Sequence, residues 1–283
     1  MSEAATLLDT SSPFGTYRAE RLVRAAWRLA DRHDLSRGLR KRIRALVARV
    51  FKGPYDLEAD GLKFRIYPGE NYDDRKLLAK GRLPEREEHK LIEPLLGPGK
   101  TFVDVGANIG SYAIFAAHRG ARVVAIEANP QTASKLSFNV FANALDSVTV
   151  INSAVGPRED TLPLWHEPSN CGFATFVKDL TTGEWAGDWS QTFVKVRPLT
   201  AITDDQGLKR IDLLKVDVEG FEDRVVLPFL RHADRPLWPR VILLETNCRP
   251  YWTEDCLSEL ADRGYEITGQ TNDNMVLELK EEA

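Results

Sequence analysis

Cysteine is scarce in this sequence: three in 283 residues, Cys171, Cys248 and Cys256, with no CxxC pair among them. An odd number at such spacing argues against a disulfide framework and against a structural zinc site. Free thiols fit a reducing compartment. Long hydrophobic runs are missing too; none approaches the roughly 18 residues that a membrane-spanning helix requires. The N-terminal stretch MSEAATLLDTSSPFG has neither the basic start nor the apolar core of a secretory signal. A soluble, cytoplasmic protein is the expectation. Positive charge is also short: 38 Lys and Arg face 42 Asp and Glu, a net charge of −4, which speaks against nucleic acid as the general partner. Internal repeats and low-complexity tracts are absent.

What is present is an ordinary globular composition, 43% hydrophobic and 28% charged, in a chain long enough for one large domain or two small ones. Charge is unevenly spread. Residues 17–52 hold twelve Lys and Arg against three Asp and Glu. Within them, LRKRIRALVARVF sets Leu39, Ile43, Leu46, Val47 and Val50 at helical spacing, with arginines mostly off that stripe. Two readings stand. The stripe packs on the main domain and leaves a solvated arginine face, or the helix meets a membrane surface, an acidic partner or a complex. The expected division is 1–52, a loose tail (1–16) followed by a basic amphipathic helical segment, and 53–283, a single α/β domain with its motif core at 85–246.

Asp60-Gly61 suggests a short hairpin followed by a polar loop, and a helix is expected over 84–96. From Thr101 strands and helices alternate: FVDVG, then 110–119, RVVAIEA, a helix opened by Pro130, and VTVINSAVG. Residues 157–198 break the rhythm and read as antiparallel hairpins. Alternation resumes at DLLKVDVEG and VILLETN and closes with YEITG and NMVLELK. Strands apolar on both faces, alternating with helices, imply a doubly wound, mostly parallel sheet.

In such a sheet the ligand lies at the carboxyl ends of the strands. Gly106 and Gly110 end the first strand of the alternating unit in DVGANIG. Glycine there lets backbone approach a ligand, and a helix N-terminus points N–H groups at it. Glu127 ends the next strand, at a position suited to accept hydrogen bonds from ribose hydroxyls. The pyrophosphate fingerprint G-x-G-x-x-G is incomplete, because Asn108 stands where its second glycine belongs. That favours an adenosine ligand without a pyrophosphate, such as S-adenosylmethionine. Asp104 is placed to meet an ammonium group. Strand alternation sets Lys215, Asp217 and Glu219 on one side of the DLLKVDVEG strand, with Glu245 ending the strand beside it. The resulting acidic mouth suits a sulfonium cation and offers candidate bases: Asp217 or Glu219 first, Glu245 third. The same three could form an oxygen site for Mg²⁺, but nothing in their spacing demands a metal, and none is assigned.

These segments, in this order, closely resemble the FkbM family of S-adenosylmethionine-dependent methyltransferases. The resemblance rests on FVDVGANIGSYAIFAA, AIEANP, INSAVG, DLLKVDVEGFE and VILLETN together. It implies a class I methyltransferase (Rossmann-like) fold, with a seven-stranded sheet whose last strand is antiparallel, a β-hairpin insert and an N-terminal helical extension. It implies O-methylation of a hydroxyl on a sugar, glycan or secondary metabolite. It gives the glycine-loop role to Asp104, Gly106, Asn108 and Gly110, the ribose to Glu127, the adenine side to Ser153 and Ala154, and the methyl-facing motif to Asp217 and Glu219. The Gly172 segment and the insert would border the small-molecule or glycan acceptor, with Tyr67, Asn71, Arg75, His166, Trp185 and Trp189 among the candidates. Two alternatives remain at this level: a nicotinamide-dependent oxidoreductase on a similar sheet, and a non-catalytic S-adenosylmethionine-binding protein. The acceptor and the oligomeric state are not read from sequence.

Overall fold

The computed structural model describes residues 8–32, 34–167, 170–182 and 187–280. Its centre is a seven-stranded sheet. Five strands run parallel: β3 (Thr101–Val105), β4 (Arg122–Glu127), β5 (Val148–Asn152), β10 (Leu213–Val216) and β11 (Val241–Glu245). The sheet is completed by β12 (Tyr265–Gln270) and β13 (Asn274–Leu279), in the order β12-β13-β11-β10-β3-β4-β5. Strand β13 alone runs against its neighbours on both sides. This is the class I methyltransferase arrangement. The chain leaves β3 toward β4 and later returns to β10 on β3's other side, so a crevice opens between the carboxyl ends of β3 and β10.

Alternation along each strand builds two cores. Phe102, Val123, Leu213 and Val241 face α5 (Ser111–His118) and α6 (Pro130–Ala142). Val103, Val124, Leu214 and Ile242 face α7 (Leu199–Asp205), α8 (Asp223–His232) and α9 (Cys256–Asp262). Successive residues pointing to opposite faces are what lets one apolar run serve both layers. The hairpin region forms a second sheet, β6-β9-β7-β8, from β6 (Ala154–Val155), β7 (Asp160–Glu167), β8 (Asn170–Thr175) and β9 (Ser190–Arg197). VTVINSAVG reads as one strand but is two. Asn152 Nδ2 bonds the Glu127 carbonyl at 2.8 Å and Ser153 Oγ bonds the Lys195 carbonyl at 3.1 Å, which turns the chain from one sheet into the other.

The N-terminal third departs most from expectation. The hairpin β1 (Tyr55–Ala59) and β2 (Leu62–Ile66) forms around Asp60-Gly61 as expected. The polar loop after it holds a helix, α3 (Tyr72–Lys80), capped by the Asn71 side chain and stopped by Gly81 at φ 65°. The expected 84–96 helix is α4 (Arg86–Ile92) plus a 3-10 turn at Glu93–Leu95.

Of the stretch expected to be a loose tail, residues 8–16 are fastened to the hairpin, and 1–7 lie outside the described residues. Buried Arg65 forks onto Asp56 at 2.7 and 2.9 Å and donates to the Ser12 and Pro13 carbonyls at 2.9 Å each. Its guanidinium also lies 4.0 Å from the Phe138 ring centre. Arg65→Ala would leave the Asp56 carboxylate buried without its cation. It is expected to cost about 3–5 kcal/mol in urea unfolding, whereas a loss below about 1 kcal/mol would mean that the tail holds itself.

The helices α1 (Arg21–Ala30) and α2 (Arg37–Val50) follow. Val23, Trp27 and Ala30 of α1 join the first core, and Trp27 Nε1 donates to the Phe51 carbonyl at 3.2 Å. The apolar stripe of α2 does not pack as a unit. Val47 is buried, but Leu39, Leu46 and Val50 are 47%, 64% and 64% exposed. No helix among the described residues is long and apolar enough to cross a membrane.

Candidate functional site

The glycine turn closes over the end of β3. Gly106 and Ala107 N–H groups both donate to the Ile126 carbonyl at 3.0 Å, tying the turn to β4. Gly106 sits at φ +81°, where a Cβ would lie 1.8 Å from the Asp217 carbonyl oxygen. The glycine is therefore needed first because the β3 and β10 loops touch, and only second because a ligand approaches. Gly106→Ala is expected to destabilise the chain by about 3 kcal/mol or more, read by denaturant titration; a neutral result would contradict the tight approach. Gly110, at φ +97°, is similarly closed in by Leu136 at 2.5 Å. Asn108 adopts φ +50°, a conformation that asparagine tolerates better than most residues. Its side chain accepts from Asn71 Nδ2 at 2.7 Å and donates to Asp73 at 3.1 Å, so it clasps the turn to the start of α3. Gly172 backs this clasp: a Cβ there would meet Asn108 Nδ2 at 2.9 Å.

Beside the turn lies a cleft open to solvent. Its walls are apolar, including Ile126, Leu164, Phe176 and Phe221, and Glu127, Ser153, Ala154 and Asp217 line it. Glu127 accepts the Asn108 and Asn129 N–H groups at 2.9 and 2.8 Å, one on each oxygen. A carboxylate has about four acceptor positions, so both oxygens keep capacity for further donors. Burial raises its pKa to about 7. Asp104 is fully buried with no hydrogen-bond partner on either oxygen. Burial pushes it up to about 6, against the pull of Lys215 with Nζ 3.8 Å away.

Strand β10 ends at Val216, so strand alternation does not account for Glu219. A turn does: Glu219 takes φ +54° and Gly220 φ +93°. That turn is braced by Glu222, which accepts the Val218 and Gly220 N–H groups at 3.0 Å and Trp252 Nε1 at 2.6 Å. Asp217, Glu219 and Glu245 nevertheless converge, with carboxylate oxygens within 4.8 Å of one another. Lys215 Nζ pairs with Asp217 at 2.9 Å. Burial alone would lower the lysine pKa, but Asp217 and Asp104 hold it above its ordinary value. Glu219 and Glu245 are pushed well up, by burial first and by neighbouring carboxylates second.

The model of the "Methyltransferase FkbM domain" matches residues 104–267 of this chain. The chain belongs to the FkbM methyltransferase family. Methyltransferase sdnD of Sordaria araneosa is 31% identical over 198 residues, 59% of this chain and 73% of that protein. The 31-O-demethyl-FK506 methyltransferase FkbM of Streptomyces tacrolimicus is 29% identical over 170 residues, 52% of this chain and 64% of its own length. The solved structure of Trm5b from Pyrococcus abyssi superposes with a TM-score of 0.43 at 13% identity, covering 79% of this chain and 53% of that one.

The FkbM domain match begins at Asp104, yet residues before it lie close enough to Asp217 to feel its charge. Tyr112 donates to Glu85 at 2.8 Å. Glu85 rises to about 7 through burial and the nearby charges of Asp73 and Asp217. Burial also raises Asp73, against the pull of Lys76. The sequence signal for both is slight: an Asn-x-Asp cap in ENYDDR and an acidic residue before α4. Several acceptor candidates serve other purposes. Tyr67 bonds Asp9 and is buried, Asn71 clasps Asn108, and His166 Nε2 faces Thr192 Oγ1 of β9 at 3.1 Å. Trp189 packs against Phe173 within the insert, the rings tilted by 58° with centres 5.4 Å apart. Trp185 lies outside the described residues.

Proposed function

We propose that this FkbM-family methyltransferase transfers the methyl group of S-adenosylmethionine to a hydroxyl of a sugar, glycan or secondary metabolite. The observation that carries the reading is one cleft lined by both the buried carboxylate of Glu127 and the ion-paired carboxylate of Asp217, with Asp104 buried one residue before its Val105 wall. Glu127 would accept from the ribose hydroxyls and Asp104 from the donor's ammonium group. Ser153 and Ala154 would flank the adenine with Phe176. The donor residues thus fit the group chemically: buried anions stand where it carries hydroxyls and positive charge. S-adenosylmethionine, when bound, supplies a methyl on a sulfonium whose sulfur departs as a neutral thioether.

The chain's own residues have two tasks, alignment and removal of the hydroxyl proton. Burial, and after it the neighbouring carboxylates, push Glu219 and Glu245 well above the ordinary glutamate range and disfavour their charged forms. Asp217, alone of the three, has an ammonium partner in Lys215. It is therefore assigned the proton. O-methyl transfer fits this site better than hydride transfer from a nicotinamide, because the Asn108 clasp occupies the turn where a pyrophosphate would need glycine. Parallel titration with S-adenosylmethionine and NADH tests the donor. Micromolar binding of the first alone is expected; preference for NADH would replace this reading with an oxidoreductase. Methyl-donor consumption against a panel of sugars, glycans and hydroxylated metabolites then tests the acceptor class.

A further inference from the structure

We propose that Asp217, Glu219 and Glu245 form a site for a divalent, oxygen-seeking cation such as Mg²⁺ or Mn²⁺, which would hold the acceptor oxygen beside the donor methyl. The inference rests on the methyl-transfer reading for its role, but not for its binding chemistry. Three carboxylates offer oxygens within 4.8 Å of one another at the ends of two adjacent parallel strands. Among the described residues, the ammonium paired with this set is that of Lys215, and it is shared with Asp104. Glu245, 7% exposed, aims into this cluster, and its Oε2 is buried with no hydrogen-bond partner. A buried carboxylate oxygen without a donor is costly, and a cation satisfies it directly. The donor set is all oxygen. The neighbouring thiol, Cys248 Sγ, points a hydrogen bond at Glu219 Oε2 across 3.8 Å. Carboxylate sets select Mg²⁺, Ca²⁺ or Mn²⁺ over zinc, which prefers nitrogen and sulfur ligands. Glu219 is delivered by the turn that Glu222 braces, so a buried scaffold fixes its position. With the cation bound, the acceptor hydroxyl would gain a fixed point beside Asp217.

The test uses the full chain, stripped of metal by chelator and then dialysed. Mn²⁺ is titrated in and followed by loss of its free paramagnetic resonance signal. One site per chain is expected, weakened at least tenfold in Glu245→Gln and in Glu219→Gln. Both variants are checked for folding by thermal melting and for donor binding by calorimetry with S-adenosylmethionine. Absence of bound Mn²⁺ in the wild-type chain would overturn the cation site, as would undiminished binding in both variants. Failure of S-adenosylmethionine to bind the same samples would overturn the donor reading instead, so the two are distinguishable.

A separate observation carries a second inference. Leu39, Leu46 and Val50 of α2 lie at i, i+7 and i+11, on one face of the helix, and that face is turned to solvent. Exposed Arg42 and Arg49 flank the stripe. In α1, Leu22 and Leu29 are exposed at the same seven-residue spacing, beside exposed Arg21. A solvent-facing aliphatic stripe bordered by arginines matches an anionic lipid surface, where leucines enter the acyl boundary and guanidinium groups meet headgroups. We infer that α1 and α2 dock the enzyme peripherally on an anionic membrane. Vesicles of phosphatidylcholine with phosphatidylserine should pellet the chain at low salt, and pure phosphatidylcholine should not. The double variant Leu46→Glu, Val50→Glu should lose pelleting at least fivefold, since both positions are exposed and tolerate charge in the fold. No pelleting, or pelleting unchanged by the double variant, would overturn the membrane assignment. A concentration-dependent dimer abolished by that variant would give the stripe to a second copy instead.

Discussion

Asp217→Ala is expected to lower methyl transfer by roughly 10²–10⁴-fold, the usual worth of a positioned general base. Donor affinity should stay within about tenfold of wild type. Asp217 lines the cleft at the point where β10 and β3 part, and its carboxylate is paired with Lys215 at 2.9 Å rather than with the donor-holding residues. In the proposed arrangement the donor is held by Glu127 and Asp104 instead. Calorimetry with S-adenosylmethionine and a radiolabelled transfer assay on the same variant separate the two roles. Turnover within threefold of wild type would remove Asp217 from the reaction. Loss of donor binding with no separate effect on turnover would move it to the donor site. Lys215 is a positioning residue in this scheme. Removing it would leave Asp104 and Asp217 without their cation, so Lys215→Met should reproduce the Asp217 defect while also weakening the fold.

The parallel sheet and the places of the polar residues at its strand ends were legible because they depend on short-range rules. Apolar runs of four to six residues, each followed by a glycine, an Asn-Pro pair or an acidic residue, leave few arrangements for β3, β4, β10 and β11. Glu127 and Asp104 follow directly from strand ends. What was not legible depends on contacts far apart in the chain. The role of Asn108 is set by Asn71 and Asp73, 37 and 35 residues earlier. Read alone, it looked like a steric statement about the ligand, whereas its side chain fastens the glycine turn to a helix that the sequence presented as a polar loop. The fixed tail is a similar case, because nothing near Asp9 or Pro13 announces that Arg65 will bind their carbonyls. Glu219 was placed correctly for the wrong reason. Alternation predicted its side of the strand, but a left-handed turn delivers it, and the glutamate that braces that turn, Glu222, lies three residues on in the same motif. The α2 stripe left two readings open for a related reason: amphipathic spacing reports that a face is apolar, not that this chain covers it.

Glu127→Ala should weaken S-adenosylmethionine binding by roughly 30-fold or more, equivalent to about 2 kcal/mol lost with the ribose bonds. Two backbone donors, Asn108 and Asn129, would also lose their acceptor in a buried setting. Unaltered affinity would overturn the ribose assignment. The more discriminating variant is Glu127→Gln, because it removes the titration and keeps the shape. Burial raises the Glu127 pKa from 4.5 to about 7 in the unliganded cleft. Ribose hydroxyls bond best to the ionised form, so donor affinity should fall as pH drops below about 7, by up to about tenfold per unit. The same shift acts on stability with the opposite slope. A carboxyl raised in the folded state favours folding below its unfolded pKa and loses that contribution as pH climbs through the folded value. Between pH 4.5 and 7 the unliganded chain should therefore lose stability on the order of 3 kcal/mol from this one group, and Glu127→Gln should not. Donor affinity and thermal stability that both keep their pH dependence in Glu127→Gln would assign these effects elsewhere. Their joint disappearance would show that the fold bears a buried carboxylate whose cost the ligand offsets.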